Sequence, residues 1–148
     1  MDPLVGVLLA AGVLVRVGVL LWTRGAHGHG DDRDEQARVQ PIADTTALDP
    51  LFVASCAAPT ILFLHDPGCP ISRAAYRQLM RLDRDIPLID VRRAHDLSSA
   101  VEERTGVRHE SPQVIVLRQG QAVWSASHYA ITTQAIAEAL RQARGEAS

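Results

Sequence analysis

The chain has 148 residues and a formal net charge of −2, with 47% hydrophobic and 22% charged residues. This length corresponds to one domain with an appendage, and the apolar fraction excludes a disordered or collagen-like chain. Because 15 basic residues face 17 acidic ones, there is no excess of positive charge, and we expect no nucleic-acid partner. The two cysteines are too few for a disulfide framework or a zinc ribbon.

An apolar segment begins at Leu4 and ends at Trp22, and its only charged residue is Arg16. As a helix it would cover roughly 28 Å, close to the ~30 Å hydrocarbon thickness of a bilayer. Its Leu and Val residues contribute about −4 to −7 kcal/mol on an insertion scale where a central Arg costs roughly 3 kcal/mol. The sequence therefore predicts a separate N-terminal transmembrane helix within residues 1–24, through which the protein contacts the membrane.

The charges around the predicted span indicate its orientation. Arg24, Arg33 and Arg38 follow the span, whereas no Arg precedes it. By the positive-inside rule, this asymmetry predicts a single-pass protein of the cell membrane with a cytoplasmic C-terminal domain. The first three residues carry no positive charge, which argues against a cleaved signal peptide. If the start of the chain is misassigned, the span does not exist and a cytoplasmic protein is expected instead.

Residues 25–44 are polar, contain glycines and lack a hydrophobic period, which predicts a flexible linker. Two His and two Asp cluster between residues 27 and 32. Without a fold to fix their geometry, we interpret them as solvated linker rather than as metal ligands. We therefore expect no metal site, and residues 45–148 are expected to form the folded domain.

The rest of the chain alternates between predicted helices and strands. In chain order, the hydrophobic pattern predicts a helix over 47–56, strand 61–64, a helix from 70 to about 82, strand 88–91, a helix around 97–101 that stops at 106, strands 113–117 and 122–125, and a helix from 133 to about 144. Helical crossovers imply a parallel strand pair, and the Gln119-Gly120 turn closes an antiparallel hairpin. The predicted class is α/β, with a central mixed four-stranded sheet flanked by helices.

The candidate chemistry converges on Cys69, which lies between a buried strand and a helix that opens with Pro70. A sulfur at this place faces unpaired N–H groups of the first helical turn and the positive end of the helix dipole. Both favour the thiolate over the thiol, which is the condition for a nucleophilic cysteine. We therefore predict that Cys69 is catalytic rather than an inert buried cysteine, with Pro70 supporting the site.

One helical turn beyond Cys69, the place of the resolving thiol in a Cys-x-x-Cys site is taken by Ser72. A serine hydroxyl can hydrogen-bond the Cys69 thiolate but cannot release a mixed disulfide, so an outside thiol is expected to release it. Alternatively, or in addition, Ser72 is a residue of the first helical turn that satisfies a backbone N–H. Cys56 is expected to be structural, or a partner only after a large rearrangement. The intervening strand separates the two cysteines by roughly 16 Å, whereas a disulfide requires Cα atoms within about 7 Å.

Three segments together carry a resemblance to a known family: HDPGCPIS around Cys69, GVRHESPQ before the third predicted strand, and VWSASHYAIT before the last helix. The chain resembles the bacillithiol-system family of thioredoxin-like proteins, monothiol bacilliredoxin-like in character, from about residue 45 to the C-terminus. The resemblance implies a thioredoxin-like fold, a redox-active Cys69 and a cis peptide bond before Pro112. The predicted transmembrane helix is no part of it.

An X-Pro peptide bond is the one kind that adopts the cis form at low cost. If the bond before Pro112 is cis, the turn that enters the strand would bring Ser111 and Pro112 beside Cys69. Backbone groups there, with Gln113, are expected to bind an extended substrate. The alternative is a trans proline that merely begins a strand.

Two further residue types near Cys69 are candidates for the site. Arg73 is expected to hold the thiolate or a carboxylate of an anionic small thiol. Alternatively, it belongs to a solvated helix face with Arg77, Arg81 and Arg84. His65 is expected either to act in acid–base chemistry, to hydrogen-bond the loop, or to be structural.

These observations predict a monothiol thiol–disulfide oxidoreductase. Cys69 would remove a low-molecular-weight thiol from S-thiolated proteins, and a second small thiol would regenerate it. The resemblance implies that bacillithiol is this co-substrate, and no tightly bound cofactor is expected. The alternative is a non-enzymatic carrier or adaptor, such as an iron–sulfur cluster held by Cys69 and a thiol cofactor across a dimer. A third reading is a membrane-tethered binding module without turnover.

Overall fold

The computed structural model describes residues 38–145. Its strands are β1 (Val39–Pro41), β2 (Thr60–His65), β3 (Ile86–Asp90), β4 (Gln113–Arg118) and β5 (Gln121–Ser127). Its α-helices are α1 (Asp49–Ala57), α2 (Pro70–Leu79), α3 (His95–Thr105) and α4 (Thr133–Ala143), with 3-10 helices at Thr45–Leu48 and His128–Ala130. The predicted transmembrane helix and most of the predicted linker lie outside these residues. Within residues 38–145, no helix is long and apolar enough to cross a membrane.

The strands form one mixed sheet in the order β1-β3-β2-β4-β5. β2 and β3 pair in parallel, with Leu64 opposite Ile89, and α2 is the crossover between them. β4 pairs antiparallel with β2 on one side and with β5 on the other. The predicted α/β class, parallel pair and closing hairpin are therefore confirmed.

The number of strands and the extent of the linker are corrected at the N-terminal edge. The sheet has five strands and not four, and the additional strand, β1, lies within the predicted linker. β1 is parallel to β3, where Ile86 N–H donates to Arg38 O at 2.7 Å and Ile42 N–H donates to Leu88 O at 2.8 Å. The prediction fails because β1 has three residues, ends in a proline and buries none of its side chains fully, which is typical of an edge strand.

Two apolar clusters pack on the two faces of the sheet. Successive side chains of a strand point to opposite faces, so β2 gives Ile61 and Phe63 to one cluster and Leu62 and Leu64 to the other. The first cluster is completed by α2 and α4, and the second by α1 and α3. Because β2 is buried on both faces, it reads in the sequence as a continuous apolar run.

The predicted helix ends and the hairpin turn agree with the structure. α3 ends at Gly106, which has a left-handed backbone with φ 68°. The Oγ atom of Thr132 accepts the Ala135 N–H at 3.1 Å and caps α4. The hairpin turn at Gln119 and Gly120 has φ values of 53° and 75°, as a tight two-residue turn requires. The helix predicted over 47–56 is a 3-10 turn followed by α1.

Candidate redox site

A tight turn connects the end of β2 to Cys69. The Cys69 N–H donates to Asp66 O at 3.1 Å, and the Gly68 N–H donates to the Asp66 Oδ1 atom at 2.8 Å. An aspartate that hydrogen-bonds the backbone two residues further on is typical of such turns. Cys69 has an extended backbone (φ −91°, ψ 124°) and is the N-cap residue of α2, with Pro70 in the first turn. The turn thus places a partly exposed cysteine at the N-terminus of a helix.

The Cys69 thiol makes no hydrogen bond with any residue between 38 and 145. It lies at the end of α2 where first-turn N–H groups and the helix dipole stabilise a negative charge. Cys56, the other cysteine, is exposed near the end of α1, and both thiols are free. α1 leads into the opposite end of β2 from Cys69, so the arrangement agrees with the expectation that the two cysteines are far apart.

Ser72 is fully buried, and its hydroxyl binds residues other than Cys69. Its Oγ atom accepts the Asp66 N–H at 2.9 Å and lies 2.7 Å from the Nδ1 atom of His65. Among the described residues Ser72 makes no hydrogen bond to Cys69, and its hydroxyl satisfies a backbone N–H instead, that of Asp66, which is the alternative interpretation of this residue. The physical reason is that Ser72 lies on the buried face of α2, where it meets the end of β2.

His65 is the last residue of β2 and is 8% exposed. Its ring packs against those of Phe63 and Tyr76, with centroid separations of 5.2 Å and 5.5 Å. Burial lowers the pKa of His65 below the ordinary histidine value, against a smaller opposing effect of the Asp90 and Asp66 carboxylates. The neutral ring is therefore favoured near pH 7, and it can share a single hydrogen bond with the Ser72 hydroxyl.

The peptide bond between Ser111 and Pro112 is cis, as the resemblance implies. β2 and β4 are antiparallel with Leu64 opposite Gln113, so the start of β4 adjoins the end of β2. Ser111 and Pro112 therefore lie at the same edge of the sheet as the turn that carries Cys69. The Ser111 Oγ atom is buried and has no hydrogen-bond partner among the described residues.

The side chain of Gln113, a predicted substrate-binding residue, is used within the protein. It is 3% exposed; its Nε2 atom donates to Arg108 O at 2.9 Å, and its Oε1 atom accepts the Glu110 N–H at 3.3 Å. These two hydrogen bonds brace the loop that precedes Pro112. Gln113 is therefore a positioning residue for that loop.

The four arginines that the sequence assigns to a solvated helix face differ in their surroundings. Arg73, Arg77 and Arg81 are exposed on or just beyond α2 and make no ion pair with residues 38–145. Arg84 instead lies beyond α2, where it is partly buried and donates to Pro59 O at 3.1 Å. Burial lowers the pKa of Arg84, with the positive charge of Arg144 adding to the effect. Three of these arginines are therefore solvated, and the fourth makes a structural contact.

Arg92 lies at the site although the sequence does not single it out. A Cβ atom at Gly68 would lie 2.8 Å from the Arg92 Nη1 atom, so the guanidinium packs against the turn that carries Cys69. Arg92 follows β3, whose carboxyl end adjoins that of β2 in the parallel pair. Side chains at the carboxyl ends of neighbouring parallel strands share one edge of the sheet, and this rule is the signal that could have found it.

Comparisons with known proteins agree with this geometry. The sequence model of the monothiol bacilliredoxin BrxC family matches residues 40–136. The chain is similar to the solved structure of a proposed oxidoreductase with a thioredoxin fold, with 27% identity, a TM-score of 0.66, and coverage of 71% of this chain and 96% of that one.

Two thioredoxins are similar in fold alone. The thioredoxin of Fasciola hepatica shares 12% identity at a TM-score of 0.56, covering 70% of this chain and 97% of that one. A mutant thioredoxin of Halobacterium salinarum shares 14% identity at a TM-score of 0.57, covering 71% and 89%. The described residues therefore have a thioredoxin-like fold, and the family resemblance is confirmed.

Proposed function

We propose that this chain, which belongs to the monothiol bacilliredoxin family, is a thiol–disulfide oxidoreductase that removes a low-molecular-weight thiol from S-thiolated proteins. Family and fold support a thiol redox role. The observation that carries the finer proposal is the pairing of one helix-capping cysteine with a serine at the resolving position. Ser72 is fully buried and hydrogen-bonded to His65, so within the described part of the chain Cys69 is the only thiol at this site.

The reaction is two successive thiol–disulfide exchanges. The Cys69 thiolate attacks the small-thiol sulfur of the mixed disulfide, forming a new S–S bond as the old one breaks. The target protein leaves as a thiolate and takes a proton from water. A second small thiolate then attacks the small-thiol sulfur on Cys69, which releases the Cys69 thiolate and a disulfide of two small thiols. One disulfide is exchanged for another in each step, so electrons balance.

An external thiol is required because Cys56 is badly placed to resolve the intermediate. It lies near the end of α1, which leads into one end of β2, while Cys69 follows the other end. The length of β2 corresponds to roughly 16 Å between those ends, and a disulfide needs Cα atoms within about 7 Å. The adduct on Cys69 therefore persists until a second small thiol arrives.

We propose bacillithiol as the small thiol, since the family to which the chain belongs is named for it. The partners are then S-thiolated proteins and bacillithiol as a co-substrate, without a tightly bound cofactor. We also propose attachment to the cell membrane through residues 4–22 with a cytoplasmic redox domain. That segment lies outside the described residues, so the attachment rests on the apolar sequence alone.

The test follows the small thiol from a reporter protein to the full-length enzyme. A reporter carrying one bacillithiol adduct is mixed with reduced enzyme, and both proteins are followed by intact mass. The wild type and the Cys56→Ser variant are expected to gain one adduct, mapped to Cys69, as the reporter loses it. The Cys69→Ser variant is expected to gain none.

Other outcomes would contradict the proposal. An intramolecular disulfide between Cys56 and Cys69 would show a dithiol mechanism. A reporter that keeps its adduct in the presence of wild-type enzyme would favour a carrier or a binding module without turnover. Release by the Cys69→Ser variant at the wild-type rate would remove Cys69 from the mechanism.

A further inference from the structure

A small cleft opens beside the Cys69 turn, at the carboxyl ends of β2 and β3. It is lined by Pro67, Asp90, Arg92 and Arg93 and has a volume of about 220 Å³. Ligands of α/β sheets commonly bind outside the carboxyl ends of parallel strands. Pockets for drug-sized ligands span about 300–1,000 Å³, so this cleft suits one arm of a small molecule rather than a large ligand.

Among the residues that the structure describes, one cation of the cleft is without an ion-pair partner. Asp90 accepts the Arg92 N–H at 3.0 Å, and its other oxygen lies 3.6 Å from the Arg93 Nε atom. The Asp66 carboxylate accepts the Gly68 N–H. A Cβ atom at Gly68 would lie 3.2 Å from the Asp66 Oδ1 atom and 2.8 Å from the Arg92 Nη1 atom, so this carboxylate is close to the guanidinium without forming an ion pair with it. The guanidinium of Arg92, by contrast, makes no hydrogen bond or ion pair with any residue between 38 and 145. An exposed, unpaired guanidinium is suited to a carboxylate of a ligand.

The position of this guanidinium relates it to the reacting sulfur. Its Nη1 atom packs where a side chain at Gly68 would lie, and Gly68 directly precedes Cys69. Pro67, which also lines the cleft, is two residues from Cys69, so their Cα atoms are at most about 7 Å apart. A thiol joined to Cys69 can therefore extend a short carboxylate-bearing arm into the cleft.

We infer that Arg92 selects anionic small thiols by binding a carboxylate of the thiol that is being transferred to Cys69. This inference rests on the proposed function and names the chemical class of its co-substrate. Arg92 contacts the substrate away from the reacting sulfurs, so it determines specificity and leaves the exchange chemistry itself to Cys69.

The test compares glutathione disulfide with its tetraethyl ester, which is the same peptide disulfide without free carboxylates. The full-length protein carries Cys56→Ser, so that Cys69 is its only thiol. The Cys69 thiolate attacks one sulfur of the disulfide, forms a mixed disulfide and expels the other half as a thiolate. Intact mass gives the rate with each disulfide. The ratio of the rate with glutathione disulfide to the rate with its ester is compared between variants, so that the difference in intrinsic reactivity between the two disulfides cancels.

Arg92→Ala is expected to lower this ratio about three- to fivefold, because ion pairs between exposed groups are modest. The loss should come from the rate with glutathione disulfide alone, and Arg92→Lys should restore part of it. Gly68→Ala is expected to lower the ratio as well, since its methyl group displaces the guanidinium. Arg77→Ala is the matched control, because Arg77 is exposed further along α2, and it should leave the ratio unchanged.

Two results would overturn the inference. A ratio that does not change in Arg92→Ala excludes anion binding there. An equal fall in the rates with both disulfides shows that Arg92 only packs against the turn. A wild-type Cys69 that reacts with neither disulfide contradicts selection of anionic small thiols as a class, and a reactive Cys69 with a ratio insensitive to Arg92 contradicts the role of Arg92. The proposed function fails separately, when the reporter keeps its bacillithiol adduct.

Discussion

The Nδ1 atom of His65 lies 2.7 Å from the Oγ atom of Ser72, and both side chains are buried. The same oxygen accepts the Asp66 N–H at 2.9 Å. Ser72 therefore connects the end of β2, the following turn and the first turn of α2 through one atom. The residue at the resolving position thus holds the shape of the site, and this explains how a monothiol site stays ordered around a thiol that has no hydrogen bond of its own.

Ser72→Ala is expected to lower the free energy of unfolding by about 1–3 kcal/mol, because it leaves the buried Nδ1 atom of His65 and the partly buried Asp66 N–H unpaired. Urea denaturation measures this difference. Ser99→Ala is the matched control, since Ser99 is exposed on α3, and should stay within about 0.5 kcal/mol of the wild type. Equal stability of Ser72→Ala and wild type would contradict a bridging role for this hydroxyl.

The buried His65 predicts a pH dependence of stability. Burial lowers its pKa in the folded protein, so between that pKa and the unfolded value of about 6.5 the unfolded chain binds more protons. The contribution of neutral His65 to the free energy of unfolding is complete above about pH 6.5. It falls as the pH drops through this window, and the free energy no longer changes on account of His65 below the folded pKa. Urea denaturation from about pH 5 to pH 8 measures the slope.

The slope is assigned to His65 by comparison of two variants. His65→Asn removes the titrating group and is expected to flatten the acid side of the stability curve. His95→Asn removes an exposed histidine and should leave the curve unchanged. If His65→Asn runs parallel to the wild type at every pH, the folded pKa is not lowered.

Elements that bury a face could be predicted from the sequence, whereas the edge strand could not. The continuous apolar run of β2 and the helical spacing of apolar residues in α2 reflect burial against neighbouring elements. The hydrophobic pattern of these elements can therefore be read in their own sequence. β1 is held by backbone hydrogen bonds to β3, and the hydrogen bond from Ile86 N–H to Arg38 O leaves no trace in side-chain hydropathy. The formation of β1 therefore depends on its pairing with β3, which is far along the chain, and not on a hydropathy pattern of its own.

The candidate site shows the same division. The place of Cys69 before a helix and the cis bond before Pro112 follow from local sequence and the resemblance. The contact of Arg92 with Gly68 depends on which strands are neighbours, and the partner of Ser72 depends on the rotation of α2 against β2. Such contacts between segments distant in sequence are set by packing, which a local pattern does not encode.

Gln113 is expected to support the loop before Pro112 without contacting substrate. Gln113→Met keeps the side-chain length but removes the hydrogen bonds to Arg108 O and Glu110 N–H. Transfer of a small thiol from a reporter protein is expected to slow severalfold, because the loop loses its brace. Alkylation of Cys69 by iodoacetamide should keep the wild-type rate, since the turn that carries it is unchanged.

The matched control for this variant is Gln134→Met, because Gln134 is exposed on α4. It should retain the wild-type rates of both transfer and alkylation. Reporter transfer by Gln113→Met at the wild-type rate would exclude a role for the braced loop, while slowed alkylation would indicate damage to the Cys69 turn instead.

β1 is expected to stabilise the domain although the sequence reads as a linker. Replacing residues 39–42 with Gly-Ser-Gly-Ser removes the packing of Ile42 against the second cluster and weakens the pairing with β3. Because each backbone hydrogen bond contributes about 1 kcal/mol net, the free energy of unfolding should fall by about 2 kcal/mol. A true linker would show no change in urea denaturation. Amide exchange localises the effect: the Ile86 N–H, bonded to Arg38 O, should exchange faster, while amides of β5 at the opposite edge keep their protection.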